Sequence, residues 1–273
     1  RYTSSVHSDS RRIRHRQPDR LLDLVHRTKE PMISKPNRCE HRFSASRHPD
    51  YDECDLCETF HSRVAPHPNT IYGPDYWSEK HSHSTIEEQV YNVDVHTEGG
   101  VTKNQFMLDL VASANKGAAI EIACAPGVML KHLKESGFHT VVGLEFDGSY
   151  EMVIRKLGEH PVDLVFGMFP DSSSKLPDGG FDLIIGMDVF EHSHEPERFL
   201  IECGRLLTRG GMLALMAPMI GDAPFDERFL HPVEHPFIHS ESNMREMLLD
   251  FGFDRVVFSR WTSGHESVVA IKL

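Results

Sequence analysis

The sequence predicts an α/β fold, a mostly parallel sheet with a C-terminal antiparallel hairpin, preceded by a small segment rich in cysteine and histidine. Three observations predict it. From Ala118 onward, short apolar runs alternate with amphipathic stretches of helical spacing. Turn residues separate them at Pro126-Gly127, Gly137, Gly210-Gly211 and Gly252. The chain then finishes on two runs of period two around Ser263-Gly264. Strand–helix alternation selects a parallel sheet covered on both faces, whereas two period-two runs joined by a short turn pair antiparallel.

In chain order, apolar spacing predicts a helix within 104–114, then a strand over 118–123 closed by Pro126-Gly127. A helix over 128–136, stopped by Gly137, leads to a strand over 140–145. A helix near 149–157 and a strand over 162–166 follow, then a strand over 181–187. A helix over 196–207 ends at Gly210-Gly211 and feeds a strand over 212–217. A helix over 242–251, with Gly252 placed to cap it, precedes hairpin strands over 255–261 and 266–271, for seven strands in all.

Composition divides the rest. Residues 1–38 form a basic arm, 39–80 a zone of Cys, His, Pro and aromatics, and 81–116 a connecting helical segment before the main domain, 117–273. The 273 residues are 39% hydrophobic and 26% charged, a globular usage that excludes wholesale disorder. The net charge of −12 splits into +5 over residues 1–40 and −17 over the remainder. An acidic body repels phosphate, so nucleic acid is disfavoured as a substrate. The longest uncharged, mostly apolar stretch, Gly211 to Ile220, falls short of the about 20 residues of a spanning helix, so no membrane role is expected. Five unevenly spaced cysteines do not make a disulfide framework and point to a reducing compartment, the cytoplasm. The first residue is Arg1 rather than Met, as in a piece of a longer or processed chain.

The first strand and turn, Glu121-Ile-Ala123-Cys-Ala125-Pro-Gly127, carry small residues where a ligand would approach the backbone. A pyrophosphate needs G-x-G-x-x-G facing a helix amino terminus. Here an acid stands at the entry and alanines replace two glycines, which suits a cationic, amino-bearing ligand; the alanines fit where φ stays negative. Glu145 ends the second strand, where a carboxylate can accept both ribose hydroxyls.

Over roughly residues 104–273 the chain resembles the class I S-adenosylmethionine-dependent methyltransferases. The segment 121–127 is similar to the family's E/D-x-G-x-G-x-G, and Val142-Gly-Leu-Glu145 to its second-strand motif. Phe181-Asp182 through Asp188-Val-Phe-Glu191-His192 resembles the fourth-strand motif, and Arg205 to Gly211 the R-x-L-x-x-G-G before the fifth. The resemblance implies a Rossmann-like seven-stranded sheet. It implies S-adenosylmethionine held by Glu121, Ala123, Ala125 and Gly127 at the methionine end, and by Glu145 at the ribose. Phe146 is expected to pack on the adenine, Met168 and Phe169 to sandwich it, and Asp188 to complete the cofactor site.

Cys54-x-x-Cys57 has the spacing of two thiolates on one metal; with Cys39 and one imidazole it would close a tetrahedral, structural zinc site. His41 is the nearest fourth ligand, with His48, His61 and His67 as competitors. The segment resembles the amino-terminal zinc modules of methyltransferases from polysaccharide and natural-product pathways. It has Cys39-x-His41 in place of their first Cys pair and Ile71-Tyr72 to Tyr76-Trp77 as the aromatic stretch. Methyl transfer needs an aligned nucleophile and, for a weak acceptor, a base. His192 and then His235 are the candidates, with a sugar or natural-product-like small molecule as acceptor, methylated on oxygen or carbon. The competing reading is a non-catalytic module of the same fold, docking a protein or RNA partner through its zinc segment.

Overall fold

The computed structural model describes residues 39–72, 88, 95, 97–158, 162–221, 225–262 and 265–273. The basic arm 1–38, Tyr76-Trp77, most of 81–96 and the Ser263-Gly264 turn lie outside the described residues.

The first elements are three short strands, β1 (Phe43–Ala45), β2 (Tyr51–Cys54) and β3 (Phe60–Ser62), and a single turn of helix, α1 (Pro68–Ile71). A two-residue pair, β4 (Thr97–Glu98) and β5 (Val101–Thr102), leads into α2 (Lys103–Leu110), whose N-cap Thr102 accepts from the Gln105 amide. The main domain then runs β6 (Ala118–Ile122), α3 (Val128–Glu135), β7 (Thr140–Glu145), α4 (Glu151–Gly158), β8 (Asp163–Phe166) and β9 (Phe181–Met187). It continues through α5 (Pro196–Leu206), β10 (Leu207–Pro218), β11 (Phe237–Ile238) and α6 (Glu241–Asp250), and closes on β12 (Phe253–Thr262) and β13 (His265–Lys272).

The main sheet has the order β12-β13-β10-β9-β6-β7-β8. β13 pairs antiparallel with β12 and β10, and the other neighbours are parallel. Seven strands, mostly parallel, with a terminal hairpin, are what the alternation predicts. One boundary differs. β10 begins at Leu207, which pairs with Phe181, and passes Gly210 (φ +80°) with a register shift before the regular ladder resumes at Met212. The two glycines therefore sit in an irregularity of the strand rather than ahead of it.

One apolar layer joins α5, α6 and residues such as Ile120, Ile184 and Leu215; the other joins α2, α3 and residues such as Ala119, Leu183 and Ala214. Adjacent residues on each strand face opposite layers, the period-two signature of a sheet buried on both sides. The chain leaves β6 for β7 and β8 on one side and returns to β9 on the other. The strand order thus reverses between β6 and β9, and a crevice opens at their carboxyl ends.

The cysteine segment is built into this domain. β11, far along the chain, pairs with β3 and completes a four-stranded sheet β1-β2-β3-β11. The Tyr51 hydroxyl donates to the His235 carbonyl (3.0 Å), the Ser62 hydroxyl to that of Pro232 (2.6 Å), and the Ser62 amide to that of Pro236 (2.8 Å).

Candidate functional site

A cleft of about 300 Å³ lies at the switch point. Its floor is Ile122 and Ala123 after β6 with Leu144 and Phe146 around the end of β7. Met168 and Phe169 form one wall, Asp188 and His192 the other, and His67 and Tyr72 of the cysteine segment form the roof. Of the residues expected to hold a cofactor, Ala123, Phe146, Met168, Phe169 and Asp188 line this cleft; Glu121, Ala125, Gly127 and Glu145 do not.

The turn after β6 explains that division. Ala123 has φ +57°, which corrects the expectation of negative φ at this alanine. The left-handed turn aims the next two amides at the end of β7, where Cys124 donates to the Leu144 carbonyl (3.1 Å) and Ala125 to Glu145 Oε2 (3.0 Å). Those bonds offset the about 1–2 kcal/mol that a Cβ costs in this region. Gly127 is at φ +100°, and a Cβ there would lie 3.0 Å from the Ile154 Cα, so the residue has to be glycine.

Glu145 braces this turn. Its Oε1 accepts from the amides of Phe146 (2.9 Å) and Asp147 (3.3 Å), and its Oε2 from that of Ala125. Three of about four acceptor positions on the carboxylate are thus used by the backbone. Glu121 is also buried, and its Oε2 has no hydrogen-bond partner among the described residues. Burial, then the neighbouring Glu145, push the Glu121 carboxyl well above its ordinary range. Burial likewise raises Glu145, against its amide donors. Of the two buried acids Glu121 is the less compensated, with one oxygen open to a cation or a hydrogen-bond donor, whereas three amides hold Glu145.

On the walls, the Phe146 ring meets Tyr72 edge-on (5.6 Å), and Phe169 packs edge-on against Phe199 (4.7 Å). Asp188 (φ +52°) pairs with Lys103 Nζ and accepts from His265 Nε2 (2.6 Å). Burial opposes its ionisation, but Lys103 and His265 outweigh that and hold the carboxyl well below the usual carboxylate range. Lys103 and His265 belong to no local motif and were invisible in the sequence.

His192 faces the cleft. Its Nδ1 is 2.7 Å from the Tyr72 hydroxyl and 3.1 Å from the Glu234 carbonyl. His235 lies behind it, ring centroids 4.7 Å apart, and does not line the cleft. Its Nδ1 donates to the Phe229 carbonyl (2.9 Å). Burial and the adjacent His192 bring its pKa down to about 3, which makes it a weak proton acceptor. Glu191, read in the sequence only as part of a motif, is buried beside both imidazoles.

Cys39, His41, Cys54 and Cys57 converge, their ligand atoms all within 4.8 Å of one another. Cys39 Sγ lies 3.7 Å from both Cys54 Sγ and His41 Nδ1, and Cys57 Sγ 3.4 Å from His41 Nδ1. A tetrahedral zinc with bonds of about 2.3 Å to sulfur and 2.0–2.1 Å to nitrogen needs separations of about 3.8 and 3.5 Å. The residues fit that ion. Burial and the thiols of Cys57 and Cys54 push Cys39 up to about 12. Cys54 is brought down to about 6: burial opposes this, but the Leu56 amide and His41 outweigh it.

Residues 120–215 match the family profile described as "Methyltransferase domain". The chain is 33% identical over 109 residues to a sarcosine/dimethylglycine N-methyltransferase of Halorhodospira halochloris, an alignment covering 38% of each chain. It is 29% identical over 99 residues to a ubiquinone biosynthesis O-methyltransferase of Caulobacter sp. (strain K31), covering 34% of this chain and 38% of that one. It thus spans under two fifths of the length of these curated relatives. Phosphoethanolamine N-methyltransferase 2 of Haemonchus contortus, solved with S-adenosyl-L-methionine, shares the fold (TM-score 0.59, 13% identity, 76% of this chain and 61% of that). Sheet order and the family match agree: residues 120–215 carry the profile of a methyltransferase domain, on the fold shared with that solved methyltransferase.

Proposed function

We propose that this protein methylates a small molecule on oxygen or carbon, using S-adenosylmethionine, in a cleft roofed by a structural zinc module. The observation that carries the reading is the buried Glu121–Glu145 pair beneath a cleft at the switch point of the sheet. Glu121 Oε2 lacks a partner among the described residues, and Glu145 Oε2 retains one acceptor position. They suit the amino and ribose hydroxyl groups of that cofactor, with Phe146, Met168 and Phe169 around its adenine. The cofactor supplies a methyl group activated on a sulfonium.

The chain's own residues do the rest. The Met168–Phe169 wall is apolar, and the roof narrows the acceptor side, where His192 and Asp188 stand. His192 Nδ1 is held by the Tyr72 hydroxyl (2.7 Å) and the Glu234 carbonyl (3.1 Å), which fix the ring in the cleft wall. Zinc on Cys39, His41, Cys54 and Cys57 would hold a segment too small for a core of its own. All four positions filled by protein make that role structural. Five cysteines without a disulfide suit the cytoplasm, and no helix among the described residues is long and apolar enough to cross a membrane.

The test is to incubate the protein with methyl-labelled S-adenosylmethionine and a cell extract, then fractionate. Label in the low-molecular-weight fraction supports the reading. Label confined to RNA or protein overturns the acceptor class.

A further inference from the structure

We propose that Glu191, His192 and His235 form a second metal site, for a divalent first-row transition ion, in the wall of the cleft. Each offers a ligand atom, and the three atoms lie within 4.8 Å of one another. Small side-chain rotations bring such a set onto one ion at about 2.0–2.2 Å.

Three features go beyond proximity. The first is the orientation of the imidazoles. His235 Nδ1 donates to the Phe229 carbonyl (2.9 Å), and His192 Nδ1 meets the Glu234 carbonyl (3.1 Å). Main-chain carbonyls can only accept, so the His235 ring carries its proton on Nδ1 and offers Nε2 as the ligand nitrogen, while His192 Nδ1 lies between the Tyr72 hydroxyl (2.7 Å) and the Glu234 carbonyl. An outer shell of carbonyls fixing the tautomer is the usual support of histidine ligands. The second is Glu191, 3% exposed, with Oε2 unpartnered among the described residues. A carboxyl group buried beside two imidazoles with one oxygen unpartnered is a ligand that a divalent cation would satisfy. The third is the ligand count. Asp188, the other nearby carboxylate, is engaged by Lys103 and His265. Two imidazoles and one carboxylate leave coordination positions open, the pattern of a reactive rather than a structural site.

His192 belongs both to this set and to the cleft lining, so the open positions serve the cleft. The ligand class is an oxygen donor, water in the resting site and an acceptor hydroxyl in the loaded one. That last step rests on the methyl-transfer reading above. It also changes the part of His192, which holds the ion instead of collecting a proton.

The cysteine segment contributes to this site. The Tyr51 hydroxyl fixes the His235 carbonyl, and the Tyr72 hydroxyl contacts His192.

The full chain loaded with a single equivalent of zinc, which the thiolates take first, is titrated with Mn2+ and followed by electron paramagnetic resonance to test the proposal. Mn2+ is a poor competitor for thiolates, so it reports the oxygen–nitrogen site alone. One Mn2+ per chain is expected, with two directly bound imidazole nitrogens in the pulsed spectrum. Glu191→Gln, which preserves shape, should weaken uptake at least about tenfold with unchanged zinc content. No uptake by the wild type, or a bound ion without two imidazoles, overturns the site whether or not the variant folds. Equal uptake by a folded Glu191→Gln does the same. Adding S-adenosylhomocysteine separates the readings: Mn2+ uptake without nucleoside binding keeps the metal and sinks methyl transfer, and the converse sinks only the metal.

Discussion

Replacing Asp188 by Asn tests how the fourth strand is tied to its neighbours. In the wild type one carboxylate oxygen pairs with Lys103 Nζ and the other accepts from His265 Nε2 at 2.6 Å. The Lys103 side chain is 11% exposed, that of His265 6% and that of Asp188 40%. Asparagine keeps the shape but has one acceptor oxygen, and its amide nitrogen must face one of the two donors. The loss is one charge-assisted hydrogen bond, about 1.5–3 kcal/mol, and the counter-charge of a nearly buried lysine. Breaking a fully buried pair costs about 3–5 kcal/mol, and the exposed side of Asp188 lets water recover part of it. The expected loss is therefore about 2–3 kcal/mol, a fall in Tm of about 4–12 °C for a domain of this size. Urea unfolding of zinc-loaded protein measures it. The pH dependence carries a definite sign. A carboxyl depressed by folding contributes stability that is complete above its unfolded pKa and is lost as pH falls through the folded value. The gap between wild type and variant should therefore stay constant from about pH 8 to 5 and narrow only below about 4. A variant within about 0.5 kcal/mol of wild type, or a gap already closed at pH 5, would refute the reasoning.

Gly127→Ala forces a Cβ to 3.0 Å from the Ile154 Cα at φ +100°, and should cost about 1–3 kcal/mol in the same unfolding assay. Glu145→Gln turns an amide donor toward backbone donors, so it should lower stability by about 1–3 kcal/mol and also weaken S-adenosylhomocysteine binding; normal affinity would sink the ribose role. Cys54→Ser should lower bound zinc, measured by atomic emission, and raise the protease sensitivity of residues 39–72; a full zinc count would remove Cys54 from the site.

The strands β6, β7, β9 and β10 were legible because each is largely buried, and the intervening helices bury one face, which leaves a period in the sequence. The cluster of Cys39, His41, Cys54 and Cys57 was legible because its spacing is local. β11 was not: Phe237–Ile238 is a strand only because β3 lies alongside it. The inward role of Glu145 was hidden as well, since a strand-end acid looks the same whether it faces a ligand or three backbone amides. Lys103 and His265 stand 85 and 77 residues from Asp188, and no local pattern records a partnership at that range. Residue type alone makes His235 a candidate base, and its burial beside His192 is what makes it weakly basic.

Calorimetric titration of the zinc-loaded chain with S-adenosylhomocysteine, with NADH as the control, tests the cofactor assignment most directly. Binding at one site, with no heat from NADH, is the expected result. Absence of S-adenosylhomocysteine binding in folded, zinc-loaded protein would contradict it, and would mean that the left-handed Ala123 turn and the inward-facing Glu145 close the site to the nucleoside.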